Sequence, residues 1–212
     1  MKDPASRDLP PPPPADWLAR LEKLHPHKMM LNLAMIGSAL IFGYLMVAYA
    51  YTRIEVEADW QMTLPKPFVV STLVIVFSSF WLFQAKKSFA GEQFGLLKKH
   101  LGYVLSLGTL FMALQLWGWW NLIGQDVTFR GNQTSAAYLY LMSGLHLLHL
   151  LVGLLFLLSI WRNVGRASKD PVKSLITATT PYQQVRISML VSFWHYLDVV
   201  WVVMFFFFLF TL

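Results

Sequence analysis

The sequence predicts an all-α integral membrane protein, a bundle of five transmembrane helices. Three observations carry that expectation. The 212-residue chain is 56% hydrophobic with a mean hydropathy of +0.50. Only 13% of its residues are charged, about half the share usual in soluble domains. Its apolar residues gather in runs near or above the ~20 residues that cross ~30 Å of hydrocarbon, with Lys and Arg between them.

Residues 1–28 read as a separate polar tail. Pro10 to Pro14 is an unbroken proline run, expected to be a polyproline II spacer. Asp16 is placed to cap a short helix in which Trp17, Leu18, Leu21 and Leu24 form an apolar stripe. Such a helix lies on a membrane surface. The five-helix domain, 29–212, follows. Its spans are expected at Met29–Tyr51, Phe68–Ala85, Leu101–Asn121, Ala136–Trp161 and Ile187–Leu212. Ala48-Tyr49-Ala50 has the form of a signal-peptidase site. The apolar run before it exceeds the roughly 7–15 residues of a signal peptide's core, so the first helix is expected to be retained.

Charge sets the orientation. The tail holds five Lys or Arg (Lys2, Arg7, Arg20, Lys23, Lys28), the second loop four (Lys86, Lys87, Lys98, Lys99) and the fourth loop five (Arg162, Arg166, Lys169, Lys173, Arg186). The first loop has Arg53 and Lys66, and the third has Arg130. The basic side is cytoplasmic, so the N-terminus is expected inside and the C-terminus in the periplasm. The outer first loop carries Glu55, Glu57 and Asp59, read as a solvated face. Interfacial aromatics are expected at Tyr49, Tyr51, Trp60, Trp117, Trp119, Trp120 and Trp161.

Composition also excludes. The chain has no cysteine, hence no disulfide, thiolate metal centre, iron–sulfur cluster or c-type haem attachment. The net charge of +6 sits at membrane boundaries, so no nucleic-acid partner is expected. No internal repeat is evident, which argues against an inverted-repeat transporter. There is no phosphate loop, catalytic triad or dinucleotide fingerprint. Asn132-Gln133-Thr134 fits a glycosylation sequon and is discounted.

The groups that could carry chemistry lie in the last two spans. In the fifth, Trp194, His195, Asp198, Trp201 and Phe205 fall within an arc of about 120°. Tyr196, Val199, Val200, Val203 and Phe207 lie opposite and suit lipid. A carboxylate at mid-span costs about 2.5–3.5 kcal/mol on insertion scales, so Asp198 is expected to have a partner. In the fourth, His146 and His149 share a face with Met142 and Gly153. Gly144 and Gly153 would let a neighbouring helix approach closely. His146, His149, His195 and Asp198 admit three readings: a metal site, a proton-transfer chain, or hydrogen bonds that fix helix packing. Packing is the expected role, with His195 and Asp198 in polar contact with the fourth helix through His146 or His149. Asn32, Ser38, Gln84 and Gln115 read as packing or interfacial groups.

These two spans resemble subunit III of the haem–copper terminal oxidases. Trp194-His195-Tyr196-Leu197-Asp198-Val199-Val200-Trp201 is similar to that family's Trp-His-x-x-Asp-Val-Val-Trp signature. Gly144-Leu145-His146-Leu147-Leu148-His149 through Gly153 is similar to its Gly-x-His-x-x-His-x-x-x-Gly element. Ser71-Thr72 through Ser78-Ser79, and Leu101-Gly102-Tyr103 through Gln115 and Trp117, resemble two further helices. The resemblance covers roughly residues 30–212 and matches the short, five-helix form. One position departs from it: Ala39 stands where the family usually carries a glutamate. No role of that carboxylate carries over, and the proline-rich tail is not a family feature.

The resemblance implies an accessory subunit of a bacterial oxidase that reduces oxygen to water and translocates protons, in the cytoplasmic membrane. It implies no catalytic centre or metal on this chain, with haem and copper on subunits I and II. It also implies bound phospholipid, support of proton uptake and a possible place in a larger supercomplex. Three rivals stand beside it: a subunit-III-like partner of a nitric oxide reductase, a small proton-coupled transporter, and a metal-binding membrane enzyme.

Overall fold

A computed structural model describes residues 26–56, 64–129, 134–168 and 181–211. Among them the regular structure is all helical. The helices are α1 (Pro26–Tyr51, closed by a π-helical turn at Thr52–Val56), α2 (Lys66–Ala90), α3 (Phe94–Ile123), α4 (Thr134–Ala167) and α5 (Pro181–Thr211). All five are long and apolar enough to cross a membrane. The polar tail's first 25 residues lie outside the described residues, with the helix expected after Asp16. So do Glu57, Asp59, Trp60, Arg130 and Asn132.

The helices overrun the apolar runs. α3 begins at Phe94 rather than Leu101, α4 continues to Ala167 rather than Trp161, and α5 begins at Pro181 rather than Ile187. The added turns carry Lys98, Lys99, Arg162, Arg166 and Arg186. Lysine and arginine are good helix formers, so the helix continues through them after the apolar run has ended. Prolines mark the starts. Pro65 and Pro67 open α2 and Pro181 opens α5, where a missing backbone N–H breaks no helical bond.

α2 to α5 form an antiparallel four-helix bundle. A short turn joins α2 to α3, with the Gly91 N–H bonded to Lys87 O and the Gln93 N–H to Ser88 O. The left-handed residue in that turn is Glu92 (φ 57°), not Gly91. Two glycines of α3 set its distance from its neighbours. A β-carbon on Gly118 would stand 2.8 Å from Phe68 Cε2 of α2, and one on Gly108 would stand 2.8 Å from Trp194 Cη2 of α5.

α1 packs outside this bundle, against α5 and α4, and runs parallel to α5. Three contacts at one sequence separation record that register. Ser38 Oγ and Tyr196 Oη are 2.6 Å apart, a separation of 158 residues. The Tyr49 and Phe207 rings meet edge to face at 5.6 Å. Arg53 Nε donates to Thr211 O at 3.3 Å, again 158 residues on. That last contact places a cation on the orphan carbonyls that end α5. Only Phe42 and Tyr49 of α1 are buried, while Leu33, Leu40, Tyr44 and Val47 face outward.

Two expectations are corrected here. Tyr196 and Phe207 do not face lipid, because α1 covers that side of α5; Val199 and Val203 are exposed, as expected. Tyr49 is fully buried between Phe207 and Phe208 rather than interfacial.

Candidate functional site

The polar groups of the bundle form one seam along α2. It is built from hydroxyls at Ser71, Thr72, Ser78 and Ser79. A spacing of seven places the two pairs on one face. Ser71 and Thr72 each donate to Phe68 O, at 2.9 and 2.8 Å, and Ser78 donates to Ile75 O at 2.7 Å. Each hydroxyl spends its single proton on its own helix, which leaves lone pairs for N–H donors from neighbouring helices. Ser71 accepts from Gln115 Nε2 of α3 at 2.8 Å. Thr72 accepts from Trp201 Nε1 at 3.0 Å, and Ser78 from Trp194 Nε1 at 3.0 Å. Ser143 of α4 repeats the device, donating to Leu139 O and accepting from Trp119 Nε1 at 3.1 Å.

Ser79 differs. Its hydroxyl donates to Asp198 Oδ2 and also lies 3.2 Å from His195 Nδ1. His195 Nδ1 stands 3.8 Å from the same carboxylate oxygen. Asp198 is 6% exposed and lies at the middle of α5, and its Oδ1 takes no hydrogen bond. A mid-span carboxylate thus takes a hydroxyl donor from α2 with an imidazole beside it, which links α5 to α2 inside the bundle.

The expected contact of His195 and Asp198 with α4 is therefore wrong: their partner is Ser79 of α2. His146 and His149 also diverge. His146 is buried against the Phe111 and Trp201 rings, at 6.0 and 5.3 Å, and neither ring nitrogen takes a hydrogen bond. His149 turns toward α1, 5.8 Å from the Phe42 ring, and its Nδ1 meets Leu145 O at 2.7 Å. A three-residue step separates the two rings by about 60° around the helix, enough to send one into the core and the other to a groove. The four residues do not line up into one hydrogen-bonded chain. Among the described residues no three His, Asp or Glu side chains are grouped to hold a metal ion.

Trp194 and Trp201 are fully buried and bridge to α2. Gly153 is in tight contact with α5, since a β-carbon there would lie 3.2 Å from Leu197 Cδ1 and from Phe193 Cε1. Gly144 is not a close approach: Trp119 Cη2 would be an ordinary 3.5 Å away. The α2 hydroxyls and Gln115 escaped the sequence reading as a connected set, although the repeat of two hydroxyl pairs seven apart was the available signal.

Fold and seam define a five-span helical membrane protein whose mid-span polar groups join helix to helix. No family model matches the chain. It is 26% identical over 191 residues to "Cytochrome c oxidase subunit 3" of Synechocystis sp., across 85% of this chain and 75% of that protein. It is 26% identical over 188 residues to the protein of that name from Thermostichus vulcanus, across 85% and 86%. A "Probable cytochrome c oxidase subunit 3" of Nocardia farcinica is 25% identical over 180 residues, across 78% of each. The chain is thus similar to cytochrome c oxidase subunit 3 proteins over most of its length.

Proposed function

We propose that this chain is the accessory subunit III of an aerobic terminal oxidase, and that its work is structural. The observation that carries the reading is the similarity to named oxidase subunits across 78–85% of the chain. Five spanning helices and the seam around Asp198 agree with it. The nitric oxide reductase and transporter readings draw no support from these relatives.

In this reading the chain sits in a bacterial cytoplasmic membrane with its N-terminus inside, packs against the subunits that hold haem and copper, and binds phospholipid. It supplies no catalytic centre of its own. His146, stranded between two aromatic rings, favours a packing role for the imidazoles over a relay through all four polar residues. Ala39 lies on an exposed part of α1 and offers no carboxylate for proton uptake.

The test is a tagged chain purified from its native membrane in mild detergent, with a reduced-minus-oxidised absorption spectrum. Haem of a terminal oxidase in stoichiometric amount is the expected result. A monodisperse preparation without haem would overturn the assignment.

A further inference from the structure

α5 has one side that the bundle leaves open. Tyr196 is covered by α1 through Ser38, and His195 is engaged by α2 through Ser79. Between these two flanks runs a strip of Ser192, Val199, Val203 and Phe206, all exposed. At about 100° per residue these four lie within a narrow arc, with His195 on its α2 edge.

A histidine is out of place there if lipid covers the strip. Its side chain is 44% exposed at the centre of the span, where no headgroup or water satisfies it. With Asp198 ionised, the seam also selects which nitrogen carries its proton. Ser79 gives its only hydroxyl proton to Asp198. The imidazole nitrogen facing the same hydroxyl must then be the donor, as the indoles of Trp194 and Trp201 are at Ser78 and Thr72. A neutral ring protonated on Nδ1 has a bare lone pair on Nε2. No hydrogen bond engages that nitrogen among the described residues, and the side chain as a whole is 44% exposed.

We infer that the open strip of α5 seats a transmembrane helix of a partner subunit, which presents a hydrogen-bond donor to His195 Nε2 at mid-span. The partner's identity as an oxidase subunit rests on the function proposed above; the docking face does not. Val199, Val203 and Phe206 supply an apolar surface on which such a helix packs, and the imidazole sets its register, the use most often made of a single polar group in an apolar interface.

Site-specific photo-crosslinking in native membranes tests this. The full chain carries the photoreactive side chain at Val199 and, as background, at Leu40 of α1. The expected result is an adduct at Val199 with another integral membrane polypeptide, identified by mass spectrometry. His195→Leu should reduce its yield about fivefold, the scale of one interhelical hydrogen bond. His195→Gln, which places an amide oxygen near the Nε2 position, should recover it. Lipid adducts alone at Val199, or adducts only with a second copy of this chain, would overturn the proposal. So would a partner adduct that is as strong with leucine at 195. If the leucine chain fails to accumulate, the Val199 adduct and the glutamine chain still decide. The haem spectrum answers the separate question. A Val199 adduct in a haem-free preparation keeps the docking face and removes the oxidase assignment; haem with lipid-only adducts does the reverse.

Discussion

Trp194 occupies the space that a side chain on Gly108 would need. A β-carbon at Gly108 would lie 2.8 Å from Trp194 Cη2 and 2.9 Å from Leu154 Cδ2. The indole cannot swing away freely, because its N–H is bonded to Ser78. Gly108→Ala is expected to destabilise the bundle by about 1–3 kcal/mol, the usual cost of overpacking. Gly37→Ala, on α1 with nothing within 4 Å, should be neutral or stabilising by up to about 1 kcal/mol, the helix-propensity gain over glycine. Thermal unfolding of the two variants in one detergent compares them directly.

The bond between Ser79 and Asp198 should show as a coupling energy. Ser79→Ala leaves a buried carboxylate oxygen with one hydrogen-bond donor fewer, a loss of about 1–3 kcal/mol. Asp198→Asn in the Ser79→Ala background should cost less than in the wild type, with a coupling near the ~0.6–1.7 kcal/mol measured for membrane interhelical bonds. Additive effects would mean that the two residues act independently. At the level of the complex, Asp198→Ala should lower the amount of this chain retained with its partners. The haem spectrum of what remains should be unchanged, whereas an intact complex with slowed proton uptake would favour a relay.

His146 behaves oppositely to Asp198. Both of its ring nitrogens are buried without a hydrogen bond. An apolar replacement removes an unsatisfied polar group while keeping most of the volume. His146→Leu should therefore be neutral or stabilising by up to about 1 kcal/mol. A loss of oxygen-reduction turnover in the assembled complex, without loss of thermal stability, would contradict a packing role for this residue.

Thr72 tests the indole bridges. Thr72→Val keeps the shape but deprives the buried Trp201 N–H of its acceptor, 3.0 Å away. The expected loss is about 1–2 kcal/mol by thermal unfolding. Adding Trp201→Phe removes the orphaned donor, so the double variant should lose less than the sum of the two single changes.

Much of this architecture was legible in the sequence. The apolar runs located all five helices, because in a membrane each must satisfy its own backbone. The ends were misplaced at α3, α4 and α5 because hydropathy stops at the first lysine or arginine while the helix does not. The buried stripe of α5 was also readable from the 3.6-residue period. Trp194, Asp198 and Trp201 are buried as that period requires. Periodicity names a face but not the helix that meets it. His146 and His149 drew attention as ionisable groups, and the actual partner, Ser79, is one of four small hydroxyls with no charge to mark it. The covering of Tyr196 by α1 was hidden for the same reason: nothing local to either helix states that they are neighbours.

The constant separation of 158 residues between α1 and its contacts on α5 has a consequence for biogenesis. Ribosomal synthesis delivers α1 to the bilayer first and α5 last. The hydroxyl of Ser38 and the aromatic face of Tyr49 meet Tyr196 and Phe207 only when the closing helix arrives. α1 can meet α4 through Phe42 and His149 beforehand, but its Ser38 and Tyr49 contacts form only with the last helix. Premature termination within the final helix would thus cost α1 its contacts on α5.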